Sequence, residues 1–217
     1  MVSSKYLEPT FFIDSKSEVI TKLVEKISES SNQDVDFTKL SFNYVRDKIK
    51  YTVERVQHDS PADMKASTTI LREKGFCIQK AVALAALLRA NNIPARLHFA
   101  DIINHRSSPH LQEFMGTKVF VFHGYTEVYL VNRWIKLTPA FDATLCEKHN
   151  LPVCTFNGVD DAIFPSHDKL GNLFVEYVRD RGVYANLPYK EIFDTFSRYY
   201  GSRFELRGDQ MDQYAKE

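Results

Sequence analysis

Residues 67–99 read STTILREKGFCIQKAVALAALLRANNIPARLHF, and the rest of the fold is built around this stretch. From Ala81 to Leu88 every residue is apolar, so the segment presents no polar face. That is the pattern of a helix buried at the centre of a fold. Asn91, Asn92 and Pro94 terminate it, giving a helix from Ile78 to about Asn91. Cys77 opens this helix two residues after Gly75, where backbone N–H groups point outward and the helix dipole favours negative charge. Such a position lowers a thiol pKa and makes a nucleophile. A lone cysteine beside an apolar helix is more often structural, so chemistry here requires a base from elsewhere.

Downstream the period changes. ARLHFADI (95–102), KVFVFHGYTEVYLV (118–131) and RWIKLTP (133–139) are rich in β-branched and aromatic residues and read as strands. His123 lies in the second of these, in phase with Val119 and Val121 on the expected inward face, and is the candidate base. Asn132 and Arg133 are expected to form the hairpin turn. Upstream, Ser15 and Glu18 fit a capping box and Val19, Ile20, Leu23, Val24 and Ile27 form one stripe, predicting a helix over 16–29. Phe42, Val45 and Ile49 predict a second helix through about Lys50; Ser60, Pro61 and Asp63 start a third that Gly75 is placed to end. Residues 1–14 read as an extended arm, and a further helix is expected near Tyr189–Tyr199.

The whole chain of 217 residues suffices for one domain with its own core. Lys plus Arg is 28 and Asp plus Glu is 28, so no net field draws in nucleic acid or an anionic membrane. The longest apolar run within a helix falls far short of the ~20 residues a membrane span needs. No basic start followed by an apolar core marks the N-terminus as a secretory signal. Three irregularly spaced cysteines, Cys77, Cys146 and Cys154, argue for a reducing compartment, so a cytoplasmic location is expected.

Cys77 and His123, in helix-then-sheet order, resemble a known pattern. The segment 67–99 is similar to the nucleophile segment of the transglutaminase-like superfamily, in which Gly-x-Cys opens a helix ending near a "GIPAR" turn. HGYTEVYLVNRWIKLTP (123–139) is similar to the family's "HAWVEVYLGGRWVPVDPT". The resemblance spans about residues 38–142 and is to bacterial-type, stand-alone members. It implies an α+β, papain-like core over 1–142, with N-terminal helices and a buried nucleophile helix packed on an antiparallel sheet. Residues 143–217 would be a C-terminal extension packed on that core. It implies acyl transfer on amide bonds of a peptide or protein through a Cys77 thioester, with His123 as base. Hydrolysis is expected ahead of crosslinking, and no cofactor or metal is implied. A binding module that has lost catalysis and a thioester-dependent N-acyltransferase are the alternatives.

One departure bears on mechanism. The family's third catalytic residue, an Asp four positions after the hairpin Trp, is here Thr138, which can accept a hydrogen bond but supplies no charge to an imidazolium. With a turn at Asn132 and Arg133, facing residues sum to 265 and Asp142 would stand opposite His123. Pro139 can end the strand first, leaving Asp142 as a turn cap. Thr138 and Asp142 are thus equal candidates to orient His123. Tyr51 and Gln57 are candidate oxyanion donors, and His98, His105 and His110 flank an insertion that would border the cleft. Cys146, His149, Cys154 and His167 lack the Cys-x-x-Cys spacing of a structural zinc site, and Asp160 and Asp161 lack that of a calcium loop.

Overall fold

The computed structural model describes residues 2–53 and 60–201, and within these not the side chains of His110 and Phe114. Three helices precede the nucleophile helix: α1 (Glu18–Ser28), α2 (Asp34–Lys48) and α3 (Ala66–Arg72). The apolar stripe of α1 buries Ile20, Val24 and Ile27. Its N-cap is Ser17, not Ser15, so the expected capping box does not form there. α2 ends at Lys48, because the chain turns extended at Ile49 and enters a two-residue strand, β1 (Lys50–Tyr51). Pro61 starts a short 3₁₀ turn, Pro61–Met64, rather than α3 itself. Glu73, in the left-handed conformation, ends α3 in place of Gly75. Gly75 instead lies in β2 (Lys74–Gly75), parallel to β1, where a Cβ would stand 3.1 Å from Gln79 Cβ and 3.2 Å from Thr69 Cγ2. The N-terminal arm is tied down: Arg89 donates to the Glu8 carbonyl at 2.7 Å, and Phe12 and Ile13 are buried.

α4 (Cys77–Ala90) is the central element, with every residue from Ile78 to Arg89 buried. Its polar members are satisfied from inside: Lys80 Nζ donates to the Arg46 and Ile49 carbonyls at 2.9 and 2.6 Å, capping the end of α2. α4 packs on an antiparallel four-stranded sheet formed by β3 (Ala95–Asn104), β4 (Val119–Leu130), β5 (Arg133–Leu137) and β6 (Val175–Tyr184), in the order β5-β4-β3-β6. The short α5 (Pro109–Met115) fills the insertion between β3 and β4; α6 (Ala143–Lys148) and α7 (Tyr189–Tyr200) follow β5 and β6. The fold is therefore α+β, with helices on one face of an antiparallel sheet. Residues beyond 142 contribute its edge strand β6, paired along β3 from Leu97 to Asn104.

The hairpin register differs from expectation. Val131 and Asn132, both at positive φ, make the turn, and Leu130 pairs with Arg133. Two successive left-handed residues are the requirement of a type I′ turn, and Asn132 supplies only the second position. Facing residues consequently sum to 263, as in Thr126 with Leu137. β5 ends at Leu137, and the Thr138 N–H leaves the ladder for the Ala162 carbonyl at 2.7 Å. Asp142 never comes opposite His123.

A second irregularity lies beside the histidine. Ala100 pairs with His123 but Ile102 with Phe120, so β4 carries one extra residue there, a bulge. Phe122 takes a φ of 56° within it. The bulge breaks the expected phase: His123 shares its sheet face with Phe120 rather than with Val119 and Val121. Asp101 holds the distortion, its carboxylate accepting the Phe122 N–H at 3.0 Å while Arg181 of β6 donates two bonds to it at 2.7 Å. The Arg181 guanidinium also lies 4.5 Å from the centre of the Phe122 ring.

Candidate active site

Cys77 is the first residue of α4 and is only part-buried, unlike Cys146 and Cys154; all three are free thiols. The backbone N–H groups of Gly124, Ile78 and Cys77 itself act on its sulfur in the direction that favours the thiolate. The close approach of α4 to β4 depends on Gly124: a Cβ there would stand 3.0 Å from Ile78 Cα and 3.1 Å from a Phe99 ring carbon. The residue after the histidine is thus glycine because the nucleophile helix passes directly over it, a signal present in the sequence but not used in reading it.

Cys77 and His123 line one cavity of about 490 Å³. His123 is buried amid the rings of Phe164, Tyr125 and Tyr177, with centroids 5.2, 6.1 and 6.2 Å away. Its Nε2 is buried without a hydrogen-bond partner among the described residues, and so is Thr138 Oγ1. The Thr138 hydroxyl acts on that of Tyr177, favouring its ionised form, but without good hydrogen-bond geometry. The register puts Thr138 diagonal to His123, next beyond the Thr126–Leu137 pair. Asp142 is engaged elsewhere: it caps α6 by accepting from Leu145 N at 3.1 Å, takes the Tyr51 N–H at 3.1 Å, and pairs with Lys50 at 3.4 Å. Of the two residues weighed to orient His123, Asp142 is instead a cap that fixes β1, and Thr138 lies nearby but unbonded.

The electrostatics follow from this lack of charge. Burial lowers the His123 pKa to about 3, with no opposing carboxylate among the described residues. Burial pushes the Cys77 thiol up to about 11, outweighing the three N–H groups and the charge of Lys80. The expected lowering by the helix terminus is present but is not the larger effect. The resting pair is therefore a neutral thiol and a neutral imidazole.

Tyr51 also lines the cavity, its ring edge-on to Phe141 at 4.9 Å, and its hydroxyl pKa is raised well above normal by burial and by Cys77. It thus keeps its proton and can donate. Gln57 lies outside the described residues. His105 lines the cavity mouth, whereas His98 is bound on another part of the sheet between Glu127 and Asp180, at 2.7 and 3.0 Å. Cys146, His149, Cys154 and His167 are not gathered: among the described residues no three His, Cys, Asp or Glu side chains are placed to hold a metal ion. Nor is any described helix long and apolar enough to cross a membrane.

A model of the transglutaminase-like superfamily matches residues 21–139. The chain belongs to the transglutaminase-like superfamily. The match runs from within α1 to just past β5 and takes in both Cys77 and His123. No curated protein matches the chain. Among solved structures it is similar to a protein of Cytophaga hutchinsonii named "Putative Cysteine Protease", at 17% identity and a TM-score of 0.48, covering 82% of this chain. The chain spans about half the length of that protein, 53%.

Proposed function

We propose that this member of the superfamily is a cysteine-dependent amidase or protease acting on peptide or protein amides, with Cys77 as nucleophile and His123 as base. The observation that carries the reading is that Cys77, first residue of the buried helix, and His123 open onto one cavity. In the acylation step the thiol proton passes to His123, the sulfur bonds to the amide carbonyl carbon, and the C–N bond breaks as the imidazolium returns that proton to the departing amine. Water, deprotonated by the same imidazole, then resolves the thioester to a carboxylic acid and restores the thiol. The N–H groups that face the sulfur and the Tyr51 hydroxyl are the donors at hand for the oxyanion. Because the pair rests neutral, His123 serves as a general base during attack and not as the cation of a preformed ion pair.

A second reading, a binding module without catalysis, is favoured by one observation: among the described residues His123 has no carboxylate partner. Alkylation by a small thiol reagent at neutral pH separates the two. Catalysis predicts that Cys77 labels faster than Cys146 and Cys154 and that His123→Ala slows it at least tenfold. Equal labelling of all three, unaffected by His123→Ala, would leave the binding module.

A further inference from the structure

The cavity over Cys77 is built for one kind of acyl group. Phe76, Phe120, Phe141 and Phe164 line it together with Leu111 and Met115 of α5. Among the described residues its wall contains no Asp, Glu or Lys. Of its basic residues, His105 Nε2 meets Glu176 Oε2 at 2.5 Å, Arg106 is part-exposed and lies 3.9 Å from Asp168, and His149 is half-buried. A cationic side chain entering here would find no counter-charge in the wall and would be desolvated uncompensated, and an anionic one would leave water for a largely aromatic and aliphatic lining whose one guanidinium, Arg106, is part-exposed. An apolar group would exchange water for aromatic and aliphatic contact. The volume, about 490 Å³, falls in the range of pockets that enclose small-molecule ligands.

We infer that the acyl donor presents a large, uncharged, apolar group next to the carbonyl that Cys77 attacks. This rests on the acyl-transfer reading and adds its substrate class. The group is either an aromatic or branched aliphatic amino-acid side chain or a straight-chain acyl group, which share the chemistry the wall recognises. Part of the wall comes from α5, α6 and α7, through Leu111, Leu145 and Phe196, so the insertion and the C-terminal third of the chain shape this preference.

The experiment uses the intact chain with two substrate series: N-acetyl-X coumarin amides with X as Phe, Leu, Gly, Lys or Asp, and 4-nitrophenyl hexanoate against acetate. The expected result is kcat/KM at least tenfold higher for Phe or Leu than for Gly, Lys and Asp, or for hexanoate over acetate, the arm that responds naming the source of the group. Leu111→Glu, at a half-buried position on a short surface helix, should lower the apolar-to-Gly or hexanoate-to-acetate ratio at least tenfold in a chain whose melting curve shows it folded. Acylation of Cys77 with Gly, Lys, Asp or acetate donors equal or preferred would overturn the pocket assignment and leave acyl transfer standing. Failure of even the activated esters to acylate Cys77 would instead overturn the acyl-transfer reading on which it rests.

Discussion

Replacing Gly124 with alanine tests how the site is held together. The new methyl would lie 3.0 Å from Ile78 Cα, 3.1 Å from Phe99 Cε1 and 3.2 Å from Ile78 Cγ1. Ordinary carbon contacts are roughly 3.5–4.0 Å, and the nearest atom is helix backbone, which cannot rotate away. α4 must therefore withdraw from β4 by a few tenths of an ångström. Overpacking of this kind costs roughly 1–3 kcal/mol. Gly124 is not at positive φ, so loss of glycine's freedom in the unfolded chain returns roughly 0.4–1 kcal/mol. The net loss of about 1–2 kcal/mol corresponds, at roughly 2–4 °C per kcal/mol for a chain of this size, to a melting point lower by about 2–8 °C. The same movement withdraws the Gly124 N–H from the Cys77 sulfur, so alkylation of Cys77 should slow in parallel. Calorimetry and timed alkylation followed by mass spectrometry read both. An alanine variant with the native melting point and native Cys77 reactivity would refute the claim that this contact sets the geometry.

Three further outcomes follow from named groups. Thr138→Asp places a carboxylate in the charge-free surroundings of His123; a carboxylate within about 4–6 Å raises a histidine pKa by roughly 1–3 units, so the NMR titration should move up from about 3 and Cys77 alkylation near pH 7 should rise at least tenfold. Asp101→Ala takes the carboxylate from the part-buried Arg181 and leaves the Phe122 N–H unbonded, and should cost roughly 1–3 kcal/mol in denaturant unfolding, with kcat reduced more than KM raised because His123 follows Phe122 in the chain. Burial lowers the Lys80 pKa to about 7 from 10.5, so the unfolded state binds more protons above that pH and stability should rise by up to about 1.4 kcal/mol per unit from about pH 7 to 8.5; Lys80→Met should flatten the rise, and unfolding curves across that window check it.

The buried helix, the strand carrying His123 and the order of the blocks were legible because each is written in local periodicity. α4 has no polar face to misread between Ala81 and Leu88, and β3 to β5 are runs rich in β-branched and aromatic residues. The hairpin register was not legible, because it turned on which two residues accept a left-handed backbone. Val131, a β-branched residue that local preference rejects there, does so in the structure, and a shift of the turn by one moved the summed register by two and removed Asp142 from His123. The bulge at Phe122 was equally hidden: what sustains it is an Asp101–Arg181 pair eighty residues apart in the chain. β6 escaped notice because its burial does not alternate cleanly, several of its residues being exposed at the sheet edge. The dominance of desolvation over the helix terminus at Cys77 required knowing how deeply the aromatic wall encloses the site.

The central claim, that Cys77 attacks an acyl carbonyl with His123 as its base, is tested most directly by intact-protein mass spectrometry of the chain mixed rapidly with a 4-nitrophenyl ester. The account predicts a mass gain of one acyl group, mapped to the peptide containing Cys77, absent in Cys77→Ala and formed at least tenfold more slowly in His123→Ala. Acylation that appears on another residue, or that proceeds at the same rate without His123, would contradict it.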